Sequence, residues 1–197
     1  KYQEVGIVPF KCSDIDDNEE EVSVDFSKVN LDEYYTTKIN RFLRTLKEGN
    51  RKCVVWCLFV DSINLITNIL QKEGYKAQAI YGSVPQDERD RIIDKFNYSN
   101  EIEIIVTNPA TLAESVSLHK ACHDAHYLEY NYNLYQYLQS RDRIHRLGLK
   151  PTDQTNYYLY VNKYTDNLED SADYRVLRAL RTKEKRMLNS IEKGDFL

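Results

Sequence analysis

The stretch CVVWCLFVDSINLITNILQKEGYKAQAIYG, residues 53–82, decides the fold class of this chain. It opens with an unbroken apolar run over 53–60, which is typical of a β-strand covered on both faces. Residues 62–75 then repeat isoleucine and leucine at helical spacing, and Gly74 stands where a helix stops. A short second strand follows over 76–82. Strand, helix and strand in this order predict a right-handed βαβ unit with parallel strands.

The same alternation continues on both sides of this stretch. Further helices are predicted over 32–50, 84–97 and 133–147, and further strands over 101–108, 123–130 and 155–161. Alternation of this kind builds a central parallel sheet with helices on both faces. The sequence therefore predicts an α/β, three-layer domain, followed by a long C-terminal helix. The apolar stripe of that helix consists of Val176, Leu180, Met187 and Ile191.

Composition changes sharply along the chain. Residues 11–25 read KCSDIDDNEEEVSVD, with seven acidic side chains and no periodic apolar pattern, so we predict an acidic linker over 1–30. A role for this segment as an acidic mimic of nucleic acid is the alternative. The α/β domain is assigned to 31–165 and the amphipathic helix to 166–197. Because the first residue is Lys1 and not Met, we expect a piece of a longer protein.

Charge and apolar content exclude several classes of protein. The net charge of −4 and the pI of about 5.6 argue against a generally basic coat for nucleic acid. They leave open nucleic acid that is held by backbone amides and a few placed side chains. The apolar run over 53–60 is too short to span a bilayer, so no membrane is expected. Four cysteines without a CxxC pair favour a reducing, intracellular location.

The sequence lacks the motifs that bind a nucleoside triphosphate without help. Neither GxxxxGK[ST] nor GxGxxG occurs among its six glycines. The acidic pair Asp32–Glu33 opens a predicted helix and does not end an apolar strand, so we interpret it as helix N-terminal charge and not as a magnesium site. We therefore expect that this chain alone does not hydrolyse ATP.

The segment QSRDRIHRLG, residues 139–148, gathers hydrogen-bond donors in an acidic chain. On a helix Arg143 and Arg146 are i,i+3 neighbours, and Gln139 lies one turn before Arg143. Two forked guanidinium groups on one face suit a polyphosphate, because each binds oxygens bidentately and keeps its charge. The alternative is a solvated helix face whose arginines pair with nearby acids.

Several segments, in order, resemble one family. QSRDRIHRLG is similar to the sixth motif of superfamily-two helicases, and in particular of the Swi/Snf family of ATP-dependent DNA translocases. That pattern is Gln, two or three residues, Asp-Arg, any residue, His-Arg, an aliphatic residue and Gly-Gln. The other segments with a resemblance are CVVWCLFVDSINLITNIL, AIYGSVPQDERDRIIDKFN, IEIIVTNPATLAESVSL, HDAHYLEYNYNLYQYLQ and TNYYLYVNKYTDNLED. Together they cover roughly residues 35–190, and several motifs in a fixed order are far more specific than one.

The resemblance implies the C-terminal, RecA-like lobe (a P-loop NTPase-like fold) of a two-lobed motor. ATP would then lie between this lobe and an N-terminal lobe that carries the phosphate loop, the DExx box and the Mg²⁺ ion. Arg143 and Arg146 would act as arginine fingers, and Gln139, Asp142 and Ser115 would contribute to nucleotide binding. As fingers that cross an interface, both arginines are expected to be exposed and dispensable for the fold.

The resemblance also implies double-stranded DNA as the partner. Gly82, Ser83, Thr107 and Asn108 follow predicted strands and are the candidates to contact the DNA backbone through amides and hydroxyls. The family's fifth motif usually carries glycines and an asparagine where Ala113, Ser115 and Ser117 stand, and Leu149 replaces a glutamine. These departures favour the alternative of a degenerate lobe that docks nucleic acid or protein. A further alternative is an RNA helicase lobe, although such lobes carry glycine at the place of Asp142.

Two weaker patterns have structural interpretations. The cluster of His119, Cys122, His123 and His126 suggests zinc, but its spacing fits no familiar metal site, so no metal is expected. The tyrosine-rich stretch over 127–137 offers faces on which bases could stack. Packing between a strand and the next helix is the preferred interpretation of these tyrosines.

Overall fold

The computed structural model describes residues 37–49, 52–113, 117–145, 154–162 and 167–193. The acidic segment predicted over 1–30 lies outside the described residues, and so do Ser115, Arg146 and Leu149. The predictions made for these positions stay predictions.

Helices and strands alternate along the described chain. The helices are α1 (Thr37–Glu48), α2 (Val60–Lys72), α3 (Gln86–Tyr98), α4 (Leu134–Asp142) and α5 (Ala172–Lys193). The strands are β1 (Cys53–Trp56), β2 (Ala77–Ile80), β3 (Ile104–Thr107), β4 (Asp124–Tyr127) and β5 (Asn156–Leu159). Short 3₁₀ helices lie at Thr111–Ala113 and Leu168–Asp170. This order confirms the predicted alternation, with strands that are shorter than expected.

The strands of the described ranges form one parallel sheet in the order β2-β3-β1-β4-β5. Central β1 pairs with β3 and β4, so that Val54 lies between Ile105 and Ala125. Every residue of β1, β3 and β4 is buried. For β1 the continuous apolar run predicted this burial. Because the strands are parallel, the loops that follow them leave at one edge of the sheet.

In the described ranges the core consists of two clusters, one on each face of the sheet. Phe42 of α1 and Ile66 of α2 belong to the cluster on one face. Phe96 of α3 and Leu177 of α5 belong to the other cluster, against which Tyr137 of α4 also packs. Helices thus cover both faces, which confirms the three-layer α/β architecture.

The prediction of a strand over 53–60 was wrong in its second half. β1 ends at Trp56, and α2 begins at Val60. Phe59 occupies the N-cap position without a capping side chain of its own. The Glu129 carboxylate caps the helix instead: it accepts hydrogen bonds from the N–H groups of Leu58 (2.7 Å) and Phe59 (3.3 Å) and from the Ser62 hydroxyl (2.6 Å). The cap comes from the loop after β4, which local sequence does not indicate.

The helix predicted over 133–147 ends earlier, at Asp142. The Arg143 carbonyl accepts a hydrogen bond from the Leu118 N–H at 2.9 Å, so a distant segment takes the acceptor that a longer helix would use. The N–H groups of Arg143 and Ile144 donate to residues three positions earlier, which tightens the last turn.

The tail is not one helix from residue 166 onward, because a 3₁₀ turn precedes α5. Val176 and Leu180 are buried in the core, as predicted. Met187 and Ile191 of the same stripe are 37% and 49% exposed. The first half of α5 is thus part of the domain core, whereas the boundary at 165/166 stays a prediction.

His126, one of the side chains considered for zinc, packs against tyrosines of β5 and the residue after it. His126 stacks on Tyr158 with ring centroids 4.6 Å apart, and its Nδ1 lies 2.9 Å from the Tyr160 hydroxyl. Within the described ranges no group of three metal-ligating side chains could hold an ion. The thiols of Cys53, Cys57 and Cys122 are free and buried, and burial raises their pKa.

The tyrosine-rich stretch divides into packed and exposed members. Tyr127 and Tyr130 are buried, and their rings stack on each other. Tyr132 and Tyr135 are exposed. Tyr137 also packs against the core. The packing interpretation therefore holds for three of the five tyrosines and does not extend to Tyr132 and Tyr135.

We expect His126 to make the domain sensitive to acid. Burial lowers its pKa to about 4, although Asp124 opposes the shift. The unfolded histidine titrates near pH 6.5, so the stabilisation is complete above about pH 6.5 and falls as the pH drops towards 4. Between pH 7 and 4.5 the free energy of unfolding should fall by about 2–3 kcal/mol more for the parent than for His126→Gln. Urea titrations of both proteins at both pH values measure this difference; equal losses would contradict it.

Candidate nucleotide and nucleic-acid sites

Gly82 and Ser83 form an exposed turn at the carboxyl end of β2. The Val84 N–H donates to the Tyr81 carbonyl at 2.9 Å and closes the turn. Arg89 of α3 donates through Nε to the Val84 carbonyl (2.7 Å) and through a terminal nitrogen to the Gly82 carbonyl (3.0 Å). Both candidate residues are thus at the surface, on a turn that a neighbouring helix holds.

Thr107 and Asn108, the candidates at the end of β3, are less exposed than this turn. Thr107 is 0% exposed, and its hydroxyl makes a 3.4 Å contact with the Asn108 carbonyl. The Thr107 hydroxyl is therefore not accessible to a partner in this structure, and its contact with DNA stays a prediction. Asn108 is partly buried, and its Oδ1 accepts from the Thr111 N–H at 2.8 Å. This bond leaves the Asn108 amide nitrogen as its donor towards a partner.

The predicted nucleotide residues lie on and just after α4. Arg143 follows the last helical residue, and its side chain is only 5% exposed. The expectation of an exposed Arg143 was therefore wrong, since packing of the lobe itself encloses the side chain. Asp142 is exposed. The side-chain Oε1 of Gln139 is buried and makes no hydrogen bond within the described chain.

Arg141, to which the sequence analysis assigned no role, is held by contacts with α5, β5 and its own helix. Its guanidinium lies between the rings of Tyr137 (5.7 Å) and Tyr157 (5.5 Å) and pairs with Glu184 of α5 at 2.7 Å. The Arg141 carbonyl accepts the Tyr157 hydroxyl at 3.2 Å. These contacts join α4 to β5 and α5, and they place the turn at Arg143 on a rigid support. In the sequence only Tyr137, about one helical turn before Arg141, indicates part of this arrangement.

The structure joins the segments that resemble the fifth and sixth motifs. The bond from Leu118 to the Arg143 carbonyl links residues that are far apart in sequence. The Ser117 carbonyl accepts from the Asn97 side chain at 3.2 Å, and the Ser117 hydroxyl contacts His119. The short helix Thr111–Ala113 also lies against α4. The candidate nucleotide segments are thus neighbours in space.

The two candidate sites occupy different parts of the domain. The turn at Gly82 and the loop at Asn108 follow parallel strands and so share one edge of the sheet. β5 is parallel to β4 and so begins at the opposite edge, and Arg141, near the end of α4, contacts Tyr157 near the start of β5. Arg143, at the end of α4, is therefore set apart from the turn at Gly82.

The side chains at the end of α4 meet some of the requirements of a triphosphate-binding site. Arginine and glutamine supply N–H donors, and the orphaned Gln139 amide oxygen is a group that a ligand or water would satisfy. Asp142 carries the wrong sign for direct contact with phosphate, so its carboxylate suits an arginine or a metal ion instead. Among the described residues, no group of three or more His, Cys, Asp or Glu side chains could hold a metal ion.

Comparison with known proteins gives one family match. The model of the helicase conserved C-terminal domain matches residues 37–148, which is more than half of the chain. This span begins with α1 and includes the sheet strands β1 to β4 and the arginine segment.

Individual relatives are more distant. Helicase swr1 of Emericella nidulans is 24% identical over 161 residues, covering 81% of this chain and 9% of the relative. The SWI/SNF-related matrix-associated actin-dependent regulator of chromatin subfamily A member 1 of Mus musculus is 22% identical, covering 70% of this chain and 13% of the relative. The chain thus spans about a tenth of the length of these curated relatives.

A solved structure shares the fold. The C-terminal part of the Fun30 ATPase domain superposes with a TM-score of 0.62 at 22% identity, covering 73% of this chain and 44% of the other. In the described part of the chain, no helix has the length and apolar character needed to cross a membrane. Because the family model matches more than half of the chain, and relatives of the Swi/Snf type are similar to it, the chain belongs to the helicase conserved C-terminal domain family.

Proposed function

We propose that this chain is the C-terminal lobe of an ATP-dependent DNA translocase or helicase. The observation that carries the proposal is the bond between Leu118 and Arg143, which brings the fifth-motif and sixth-motif segments together within the matched family region. In this function an N-terminal RecA-like lobe of the same protein binds ATP and Mg²⁺. The chain alone would not turn over ATP, since the phosphate-loop pattern is absent from its sequence.

The nucleotide role falls to the arginines. Arg146 and Arg143 would stabilise the negative charge that develops on the transferred phosphoryl group, and Gln139 would bind the nucleotide or an ordered water. Because Arg143 is buried within the lobe, we assign the direct contact to Arg146 first and give Arg143 a supporting place beside it. Ser115 and Asp142 keep their proposed places in nucleotide binding.

The DNA role falls to the loops at the carboxyl edge of the sheet. The amide and hydroxyl of Ser83, the backbone of Gly82 and the side-chain amide of Asn108 would donate to phosphate oxygens. Such donors suit an acidic lobe, because they need no basic surface. We propose double-stranded DNA as the partner and an intracellular location, in keeping with relatives whose names refer to helicases and chromatin.

A degenerate lobe that serves only for docking is the second candidate. The burial of both Arg143 and Thr107 favours it, because two predicted contact residues face the domain's own core. In that case the lobe would bind nucleic acid or protein without taking part in hydrolysis.

We expect the 1–197 chain to bind duplex DNA weakly and in a salt-dependent manner. Raising the salt from 50 to 200 mM should lower the affinity at least about tenfold, because phosphate contacts dominate. Ser83→Asp should abolish most of the binding by placing a negative charge against phosphate. Asn100→Asp adds the same charge before β3, at the opposite edge of the sheet, and should change the affinity little. Fluorescence anisotropy with a labelled duplex measures all three proteins.

The outcomes separate the candidates. Loss of binding in Ser83→Asp alone supports the DNA contact at the turn. Equal affinities for the parent and both variants, or binding that ignores salt, would contradict the proposed contact and favour docking to a protein.

A further inference from the structure

We propose that Arg89 is a positioning residue for DNA binding, which orients the Ser83 N–H towards a phosphate of the DNA backbone. The inference rests on the DNA contact proposed for the turn at Gly82 and Ser83. It assigns to Arg89 no contact with DNA of its own. Its basis is the pair of hydrogen bonds by which Arg89 holds this turn.

Arg89 fixes two carbonyl groups on either side of Ser83. One nitrogen of the guanidinium binds the Gly82 carbonyl at 3.0 Å, and Nε binds the Val84 carbonyl at 2.7 Å. The turn is also closed on itself by the bond from the Val84 N–H to Tyr81. The peptide planes around Ser83 are thus set by three hydrogen bonds.

The orientation of the Ser83 N–H follows from peptide geometry. In a trans peptide the carbonyl and the N–H that follows it point in opposite directions, and the described chain has no cis peptide bond. Since the Gly82 carbonyl points at Arg89, the Ser83 N–H points away from Arg89. Ser83 is exposed, and its N–H donates to no acceptor in the part of the chain that the structure describes. An oriented, unused donor beside a hydroxyl suits a phosphate oxygen.

The open space around Gly82 leaves room for a DNA backbone to approach the turn. A Cβ placed on Gly82 would meet nothing within 4 Å, and its φ does not lie in the left-handed region. The fold itself therefore does not require glycine here. The absence of a side chain does keep the surface beside the Ser83 N–H open for a close backbone approach.

The position of Arg89 is itself fixed. Arg89 is partly buried on α3, and Ile92, Ile93 and Phe96 anchor this helix in the core. Only a guanidinium supplies Nε and a terminal nitrogen in one rigid plane, so lysine cannot bind both carbonyls in the same way. Arg91 provides a contrast on the same helix: it is 72% exposed and pairs with Asp87 at 2.7 Å.

The test titrates duplex DNA into the 1–197 chain and follows backbone amide resonances by NMR. We expect the Ser83 amide proton to shift strongly on binding in the parent. Arg89→Lys keeps the charge but should lose this shift, and the dissociation constant should rise about three- to tenfold, as expected for one lost oriented donor. Arg91→Lys makes the same exchange at an exposed position and should behave like the parent. The Phe96 and Ile92 resonances of Arg89→Lys report whether the domain is still folded.

Each result leads to one conclusion. A Ser83 shift that persists in a folded Arg89→Lys, with unchanged affinity, overturns the positioning role and leaves the DNA contact intact. Equal weakening by Arg91→Lys shows that general electrostatics, and not the held turn, sets the affinity, and it likewise overturns the role. If the parent binds DNA without a Ser83 shift, or does not bind at all, the contact proposed at the turn fails together with the inference.

Discussion

In the complete two-lobed protein, Arg146→Ala is expected to reduce ATP hydrolysis at least about a hundredfold, with ATP binding nearly unchanged. Arginine fingers typically contribute factors of roughly 10³–10⁵ because they meet charge that develops only in the transition state. ATP binding would persist, since the N-terminal lobe holds the phosphates and Mg²⁺ in the proposed arrangement. Arg146→Lys should restore little, because an ammonium group does not reproduce the planar fork.

Arg143 should behave differently from Arg146 in one respect. Its side chain is buried, so Arg143→Ala should also lower the free energy of unfolding, by about 1–3 kcal/mol, through the loss of its contacts inside the lobe. Turnover per folded molecule is expected to fall as well. Arg175, which lies exposed on α5, gives a matched control: Arg175→Ala should change neither property.

Turnover is measured under saturating ATP and DNA, with ATP binding followed separately by a fluorescent nucleotide. Parental turnover in Arg146→Ala, combined with unfolding of Arg143→Ala, would identify the arginine segment as a structural helix end. That result would also favour the docking alternative.

The fold was predictable because the burial pattern of its strands is local. The apolar run that starts at Cys53 and the helical spacing of Ile63, Ile66 and Leu70 indicate a buried parallel strand followed by an amphipathic helix. The exact end of the strand was not predictable. The run remains apolar through Val60, whereas the helix start is fixed by the Glu129 carboxylate from another loop.

The candidate site was predictable in residue type and less so in placement. Spacing alone put Arg143 and Arg146 on one helical face, but the helix ends at Asp142, because Leu118 occupies the Arg143 carbonyl. Thr107 follows the rule that strand-end residues contact ligands, yet it is the last residue of a strand that lies between two others and is buried. The early end of the helix and the burial of Thr107 have the same origin, because the deciding contacts join segments that are distant in sequence.

The second large effect that we expect is a loss of stability on replacing a buried lysine. Lys38 of α1 pairs with Asp173 of α5 at 2.8 Å and donates to the Leu128 carbonyl at 2.7 Å. Its side chain is only 6% exposed, and that of Asp173 is 20% exposed. Asp173 also accepts from the Asn162 N–H at 2.9 Å. One ammonium group therefore connects α1 and α5 to the carboxyl end of β4.

Lys38→Ala is expected to lower the free energy of unfolding by about 3 kcal/mol, because removing one member of a buried pair leaves the other charge uncompensated. The value lies at the low end of the range for such pairs, since water still reaches part of Asp173. For a domain of this size the melting temperature should fall by about 6–12 °C. Lys47→Ala, on the same helix, removes a lysine that is 62% exposed and paired with Glu73 at 3.2 Å. Lys47→Ala should lower the free energy of unfolding by less than about 1 kcal/mol.

A third variant distinguishes the loss of the charge pair from the loss of packing. Lys38→Met with Asp173→Leu removes both charges and keeps most of the apolar volume, so it should recover part of the stability that Lys38→Ala loses. Urea unfolding of the parent and the three variants measures these differences. If Lys38→Ala and Lys47→Ala are equally stable, the buried pair does not hold α1 and α5 to the sheet, and the apolar contacts of Phe42 and Leu177 alone must do so.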